Sequence, residues 1–162
     1  MDAFDADALI YAAIPGHPLG ERVAALFPDA LFPDALFSDA PSPDVPSPAG
    51  STTLGAAPKA GVGSVLLLPE VLSKPLRDGE TTAVRTLSAL LARLDLRPVD
   101  RATALLSAVL GARYGLRAAD AVHLATAVNM GADRFITNNR RDFPASVKEI
   151  DVTYPGDLTD PA

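Results

Sequence analysis

Three carboxylates in this chain of 162 residues stand where an acid could do chemistry: Asp5, Glu70 and Asp120. Asp5 lies at the start of Phe4-Asp5-Ala6-Asp7-Ala8-Leu9-Ile10-Tyr11-Ala12, a stretch that reads as a very short strand running into a helical turn. Glu70 follows Val65-Leu66-Leu67-Leu68, a buried-strand run, and Pro69 opens a helix there because a first-turn residue has no N–H to lose. Asp120 lies in the first turn of Leu116 to Met130, where most positions are Ala, Val, Leu or Met, the pattern of a helix buried on most sides. In open α/β sheets, ligands bind beyond the carboxyl ends of the strands. Three carboxylates converging there repel one another unless a cation is bound. Oxygen ligands, with no cysteine and only two histidines in the chain, suit Mg²⁺, with Mn²⁺ as a substitute.

Each acid also has an ordinary structural use. The helix dipole favours Glu70 and Asp120 in a first turn, and Asp5 fits the N-cap of the turn that follows it. Asp7 reads as a cap or a supporting group. Arg117, Asp120 and His123 share an arc of about 120° on one helix, which lets Arg117 offset the charge of Asp120. His123 on this helix reads first as a packing histidine and second as a base.

The elements that must position these residues alternate. Leu19 to Phe27 has the spacing of a short amphipathic helix, separated from the first by Pro15-Gly16-His17-Pro18. Glu80 to Arg93 is helical by period, Leu94 to Val99 can form a strand, and Asp100 suits the N-cap of a helix to about Arg113. Gly131 closes the Leu116–Met130 helix, Arg134 to Thr137 reads as a buried strand, and Glu149 to Tyr154 as a last one. Strands alternating with helices imply an α/β domain around a mostly parallel sheet.

One stretch departs from this pattern. From Ala25 the unit Ala-Leu-Phe-Pro-Asp recurs with a period of five, degenerating through Ala40-Pro-Ser-Pro-Asp44 to Val45-Pro-Ser-Pro48, and seven of the 15 prolines lie between Pro28 and Pro58. Such density blocks both helix propagation and ladder hydrogen bonding. Residues 28–62 therefore read as a disordered insertion within one domain spanning 1–153, and 154–162 as a flexible tail.

Composition limits the function classes. No cysteine means no disulfide, no thiolate catalysis and no Cys-ligated metal. A formal net charge of −6 argues against a broadly basic nucleic-acid surface, although cations held by acids can create a positive centre within an acidic protein. No apolar run approaches the roughly 20 residues of a membrane span, and the N-terminus lacks a basic leader, so the expectation is a cytoplasmic protein with no membrane partner.

Together these segments resemble the PIN-domain ribonucleases, in particular the VapC-type toxins of type II toxin–antitoxin systems. Phe4-Asp5-Ala6-Asp7-Ala8-Leu9-Ile10 is similar to the opening segment of that family, and Leu67-Leu68-Pro69-Glu70-Val71-Leu72 to the segment carrying its glutamate. Asp120-Ala121-Val122-His123-Leu124-Ala125-Thr126-Ala127 is close to its Asp-Ala-x-His-Leu-Ala-x-Ala helix, and Phe135-Ile136-Thr137-Asn138-Asn139 through Phe143 to its closing motif. The resemblance covers 2–27 and 63–153. It implies a three-layer α/β/α domain and an Mg²⁺-dependent endoribonuclease in which Asp5, Glu70 and Asp120 ligate the metal and carry catalysis. It also implies an RNA substrate, a cognate VapB-like antitoxin and a homodimer. Thr137, Asn138 and Arg140 are the residues it suggests for the RNA backbone. Where the family often has a fourth acid, this chain has Asn139, an oxygen ligand without charge, and Asp142 is the neighbouring acid that could replace it. Two other readings are a PIN-like module that binds without catalysing and, from Asp5-x-Asp7, a haloacid-dehalogenase-type phosphatase. The second lacks a well-placed lysine and a later acidic pair.

Overall fold

The computed structural model describes residues 1–27 and 58–161. Within them, β1 (Asp2–Phe4), β2 (Gly61–Ser64), β3 (Leu94–Arg97), β4 (Arg134–Ile136) and β5 (Asp151–Thr153) form one sheet in the order β3-β2-β1-β4-β5, and every neighbouring pair is parallel. The helices are α1 (Ala6–Ala12), α2 (Pro18–Ala24), α3 (Leu67–Asp78), α4 (Thr81–Ala92), α5 (Arg101–Tyr114) and α6 (Ala118–Asn129). The α/β/α expectation is met.

Adjacent strand residues point to opposite faces, and the core divides accordingly. Phe4 and Ile136 pack with Leu9, Val23, Phe27, Leu67, Leu87 and Leu90, beneath α1 to α4. Ala3 and Phe135, their immediate neighbours in sequence, pack on the other side with Leu110 of α5 and Leu124 of α6. Three layers result because the central strands β1 and β4 place apolar residues on both faces.

Helix ends follow the local chemistry. Asp100 caps α5 by accepting the Thr103 N–H at 2.8 Å. His17 caps α2 through Nδ1, which accepts the Gly20 N–H at 3.1 Å, with Pro18 as the first helical residue. Gly131, at φ 64°, ends α6: its N–H reaches Val128 O at 3.0 Å and the Ala132 N–H reaches Ala127 O at 3.1 Å.

The chain departs from expectation in two places. The strand expected at Val65–Leu68 is instead Gly61–Ser64, so Gly61 and Val62 belong to the sheet and not to the insertion. Leu67 and Leu68 already belong to α3. The reason is crowding: a Cβ on Gly61 would lie 2.3 Å from Asp2 O, and one on Gly63 would lie 2.5 Å from Leu67 Cδ1. Glycines that read as loop are here the condition for a strand packed this tightly. Residues 28–57, the greater part of the expected insertion, lie outside the described residues. The second departure is at the C-terminus, where a 3-10 turn (Pro155–Asp157) stands in place of a flexible tail. Arg22 of α2 donates to Gly156 O at 2.7 Å and Leu158 O at 3.2 Å, and Leu158 joins the core. Among the described residues no helix is long and apolar enough to cross a membrane.

Candidate active site

The strand order reverses at β1. Strands β2 and β3 continue on one side of it and β4 and β5 on the other, so β1 and β4 flank the switch point, where open α/β sheets take ligands in the crevice beyond the carboxyl ends of their strands. Asp5 leaves β1 there and Thr137 leaves β4. Asp5 Oδ2 accepts the Thr137 hydroxyl at 2.7 Å, and Oδ1 accepts the Ala6 N–H at 2.9 Å as the cap of α1. Cap and candidate ligand are thus one carboxylate, not alternatives. It is 4% exposed. Burial, then the nearby Asp7 carboxylate, push its pKa up to about 7 against the Thr137 and Ala6 hydrogen bonds.

Asp7 has the supporting role expected of it. Its carboxylate accepts the Asn138 N–H at 3.1 and 3.2 Å, which holds the chain leaving β4 against α1. Burial raises its pKa, the Asn138 N–H opposes this, and Asp120 adds repulsion.

Asp120, in the first turn of α6, is half-buried. Its pKa is raised by burial and then by the carboxylates of Asp142 and Glu70, with His123 and Arg117 opposing. Arg117 therefore offsets the charge from the N-cap position, without a side-chain capping bond. Glu70, in the first turn of α3, meets His123 across 53 residues of sequence: Nε2 and Oε2 are 2.6 Å apart. Glu70 and Asp142 thus each stand within electrostatic reach of Asp120, and Asp7 links Asp120 to Asp5.

The closing segment is resolved by two polar turns. Asn139 donates through Nδ2 to Asp142 Oδ2 at 2.9 Å and accepts the Asp142 N–H at 3.2 Å. Asn139 thereby orients Asp142, and the acid next to Asp120 is Asp142. Thr137, expected at the RNA backbone, is fully buried. Its hydroxyl donates to Asp5 and accepts the Asn139 N–H at 3.1 Å, so it serves the carboxylate and not a substrate. Asn138 is half-buried, with its amide 3.4 Å from the Tyr11 hydroxyl. Arg140 is exposed and lies over the Tyr154 ring at 3.8 Å. The Thr137 role had one signal in the sequence, a polar residue closing an apolar strand, but nothing there names its partner 132 positions away.

The arrangement suits a divalent cation in donor chemistry. All its acids supply oxygen, and burial first, then neighbouring carboxylates, raise the pKa values of Asp5 and Asp120, both of which a bound cation would offset. Among the described residues, however, no three His, Asp or Glu side chains are arranged to chelate one ion as they stand. The hydrogen bonds to Thr137 and His123 occupy two of the carboxylates. A groove of ≈ 580 Å³ between α3 and α4, lined by Pro75, Leu76, Gly79, Thr81, Val84 and Arg85, contains none of these acids.

Comparison with known proteins agrees with the fold. No curated protein matches the chain. Among solved structures, a chain of a toxin-antitoxin complex from Klebsiella pneumoniae is similar at 28% identity and a TM-score of 0.47, covering 57% of this chain and 71% of that one. The model of the PIN domain matches residues 53–148, which include Glu70, Asp120 and Asp142 but stop short of Asp5. The parallel sheet supplies what that match omits, since β1 pairs with both β2 and β4 and brings Asp5 to the same crevice. This chain belongs to the PIN-domain family, whose members are generally nucleases.

Proposed function

We propose that this protein is a VapC-like toxin, a divalent-metal-dependent endoribonuclease that a cognate antitoxin neutralises. What supports the reading is a chain of carboxylates that act on one another pairwise, Asp142 and Glu70 on Asp120, Asp120 on Asp7 and Asp7 on Asp5, with the pKa of Asp5 pushed up to about 7 and that of Asp120 raised. Asp5 and Asp120 are the residues to hold Mg²⁺ or Mn²⁺, with Glu70 and Asp142 beside them. A cation so held acidifies a water and stabilises charge on the phosphoryl oxygens. Thr137 and the Ala6 N–H fix the Asp5 carboxylate, so its remaining lone pairs face the crevice without further reorganisation. Asp7 holds Asn138 at the rim, where its amide can meet an RNA phosphate, and exposed Arg140 lies beyond it. The antitoxin and the homodimer rest on the likeness of the sequence motifs to VapC-type toxins. The haloacid-dehalogenase reading falls with the family assignment.

Titration of Mn²⁺ into the metal-stripped protein tests this, with RNA cleavage measured alongside. Wild type should bind Mn²⁺ and cut RNA, Asp120→Asn should lose both, and EDTA should abolish cleavage until Mn²⁺ is returned. A wild type that binds no Mn²⁺ and cuts no RNA would leave the non-catalytic binding module in its place. That reading draws on Asn139 standing where a fourth acid is expected.

A further inference from the structure

We infer that His123 is a positioning residue: its Nε2–H holds Glu70 for the cation, and the Glu70–His123 pair sets the strength of metal binding. The ligand depends on the nuclease reading above; the pairing itself does not. Glu70 is the most exposed of the site acids and has a flexible side chain, 37% accessible, on the first turn of α3. Among the described residues His123 is the side chain that hydrogen-bonds it. His123 is the reverse, a ring 2% exposed on α6, one turn beyond Asp120 and packed beside Leu124. A flexible carboxylate on one helix is thereby tied to a rigid ring on the helix that carries Asp120.

The polarity of the bond follows from its partners. An ionised glutamate only accepts, so the proton between Nε2 and Oε2 belongs to Nε2. His123 Nδ1 is buried with no hydrogen-bond partner. The bond to Glu70 thus fixes a proton on Nε2, and the buried Nδ1 has no partner competing for the ring's orientation. That leaves Glu70 Oε1, and the second lone pair of Oε2, directed to the cation or its water. A histidine steering a ligating carboxylate in this way acts on metal affinity, and losing such a partner typically costs about 10–100-fold.

The test is a double-mutant cycle on Mn²⁺ affinity by calorimetry, using the full metal-stripped chain as wild type, His123→Leu, Glu70→Ala and the double variant. His123→Leu should weaken binding about 10–100-fold. It should cost nothing further once Glu70 is alanine, and His123→Gln, whose amide can still donate, should recover most of the loss. Equal affinity in His123→Leu and wild type, or losses that simply add in the double variant, would overturn the assignment. Urea unfolding of each variant separates misfolding from misplacement. Imidazole ¹⁵N shifts in wild type and Glu70→Ala give a readout that needs no metal. Wild type should show a protonated Nε2 whose signal moves on removing Glu70, and an unmoved signal refutes the pairing. A wild type without Mn²⁺ affinity overturns the nuclease reading and the metal role together, whereas equal affinity in wild type and His123→Leu overturns this inference alone.

Discussion

Asp5 concentrates the conflict between stability and chemistry in a single residue. Its pKa is about 7 in the folded chain against about 3.9 for an ordinary aspartate, so between those values the folded protein retains a proton that the unfolded chain has released. The sign follows directly. The contribution of Asp5 to the stability of the metal-free protein is greatest at low pH, falls as pH rises from about 4 to about 7, and levels off above that, by an amount of order a few kcal/mol. Asp5→Asn should flatten that slope and raise the Tm of metal-free protein at pH 8, while abolishing cleavage; thermal melts across pH with and without Mn²⁺ check it. If Asp5→Asn instead lowers the Tm at pH 8, the carboxylate is a structural cap and little more. The candidate acids were legible at this scale, because Asp5, Glu70 and Asp120 each punctuate an apolar run. Their partners were not. That Thr137 serves Asp5, that His123 meets Glu70 and that Asn139 turns Asp142 toward Asp120 are contacts made by folding, and spacing along the chain does not encode them.

Elements were read well where local chemistry decides them. The Asp100 cap, the α5 and α6 spans and the Gly131 terminus are set by propensity, capping and a left-handed residue within a few positions of one another. Asp100→Ala should cost about 1 kcal/mol in urea unfolding through loss of the bond to the Thr103 N–H. β2 was misplaced because its residues are chosen by their neighbours. Two glycine substitutions separate the two kinds of cause. Gly131→Ala meets nothing within 4 Å and should cost about 1 kcal/mol from its positive φ alone. Gly61→Ala puts a Cβ 2.3 Å from Asp2 O and should cost about 3 kcal/mol or more, because backbone must move. Equal costs for the two would mean that β1 and β2 are not packed this closely.

For the molecule as a whole, β1 has an importance that its three residues conceal. It pairs with β2 and β4, occupies the centre of the sheet and contributes Ala3 to one core and Phe4 to the other. The family match begins at residue 53, within the proline-rich stretch, and so omits this strand. A chain beginning at residue 53 should therefore fail to fold, because β2 and β4 lose their common partner and both cores lose residues. Circular-dichroism melts should show no cooperative transition. A cooperative melt from that fragment would show β1 to be dispensable.

The sequence by itself determined the alternation of strands and helices, the helix ends and the identity of the acids at the strand and helix boundaries. Those features depend on hydrophobic period, capping chemistry and proline, all of which act within a few residues. Only the tertiary structure decided the strand order that places β1 beside β4, the position of β2, and which side chains hold which carboxylates. The reason is that each of these depends on close approach between segments 50 to 130 residues apart, where burial and repulsion among acids are settled by the packed sheet.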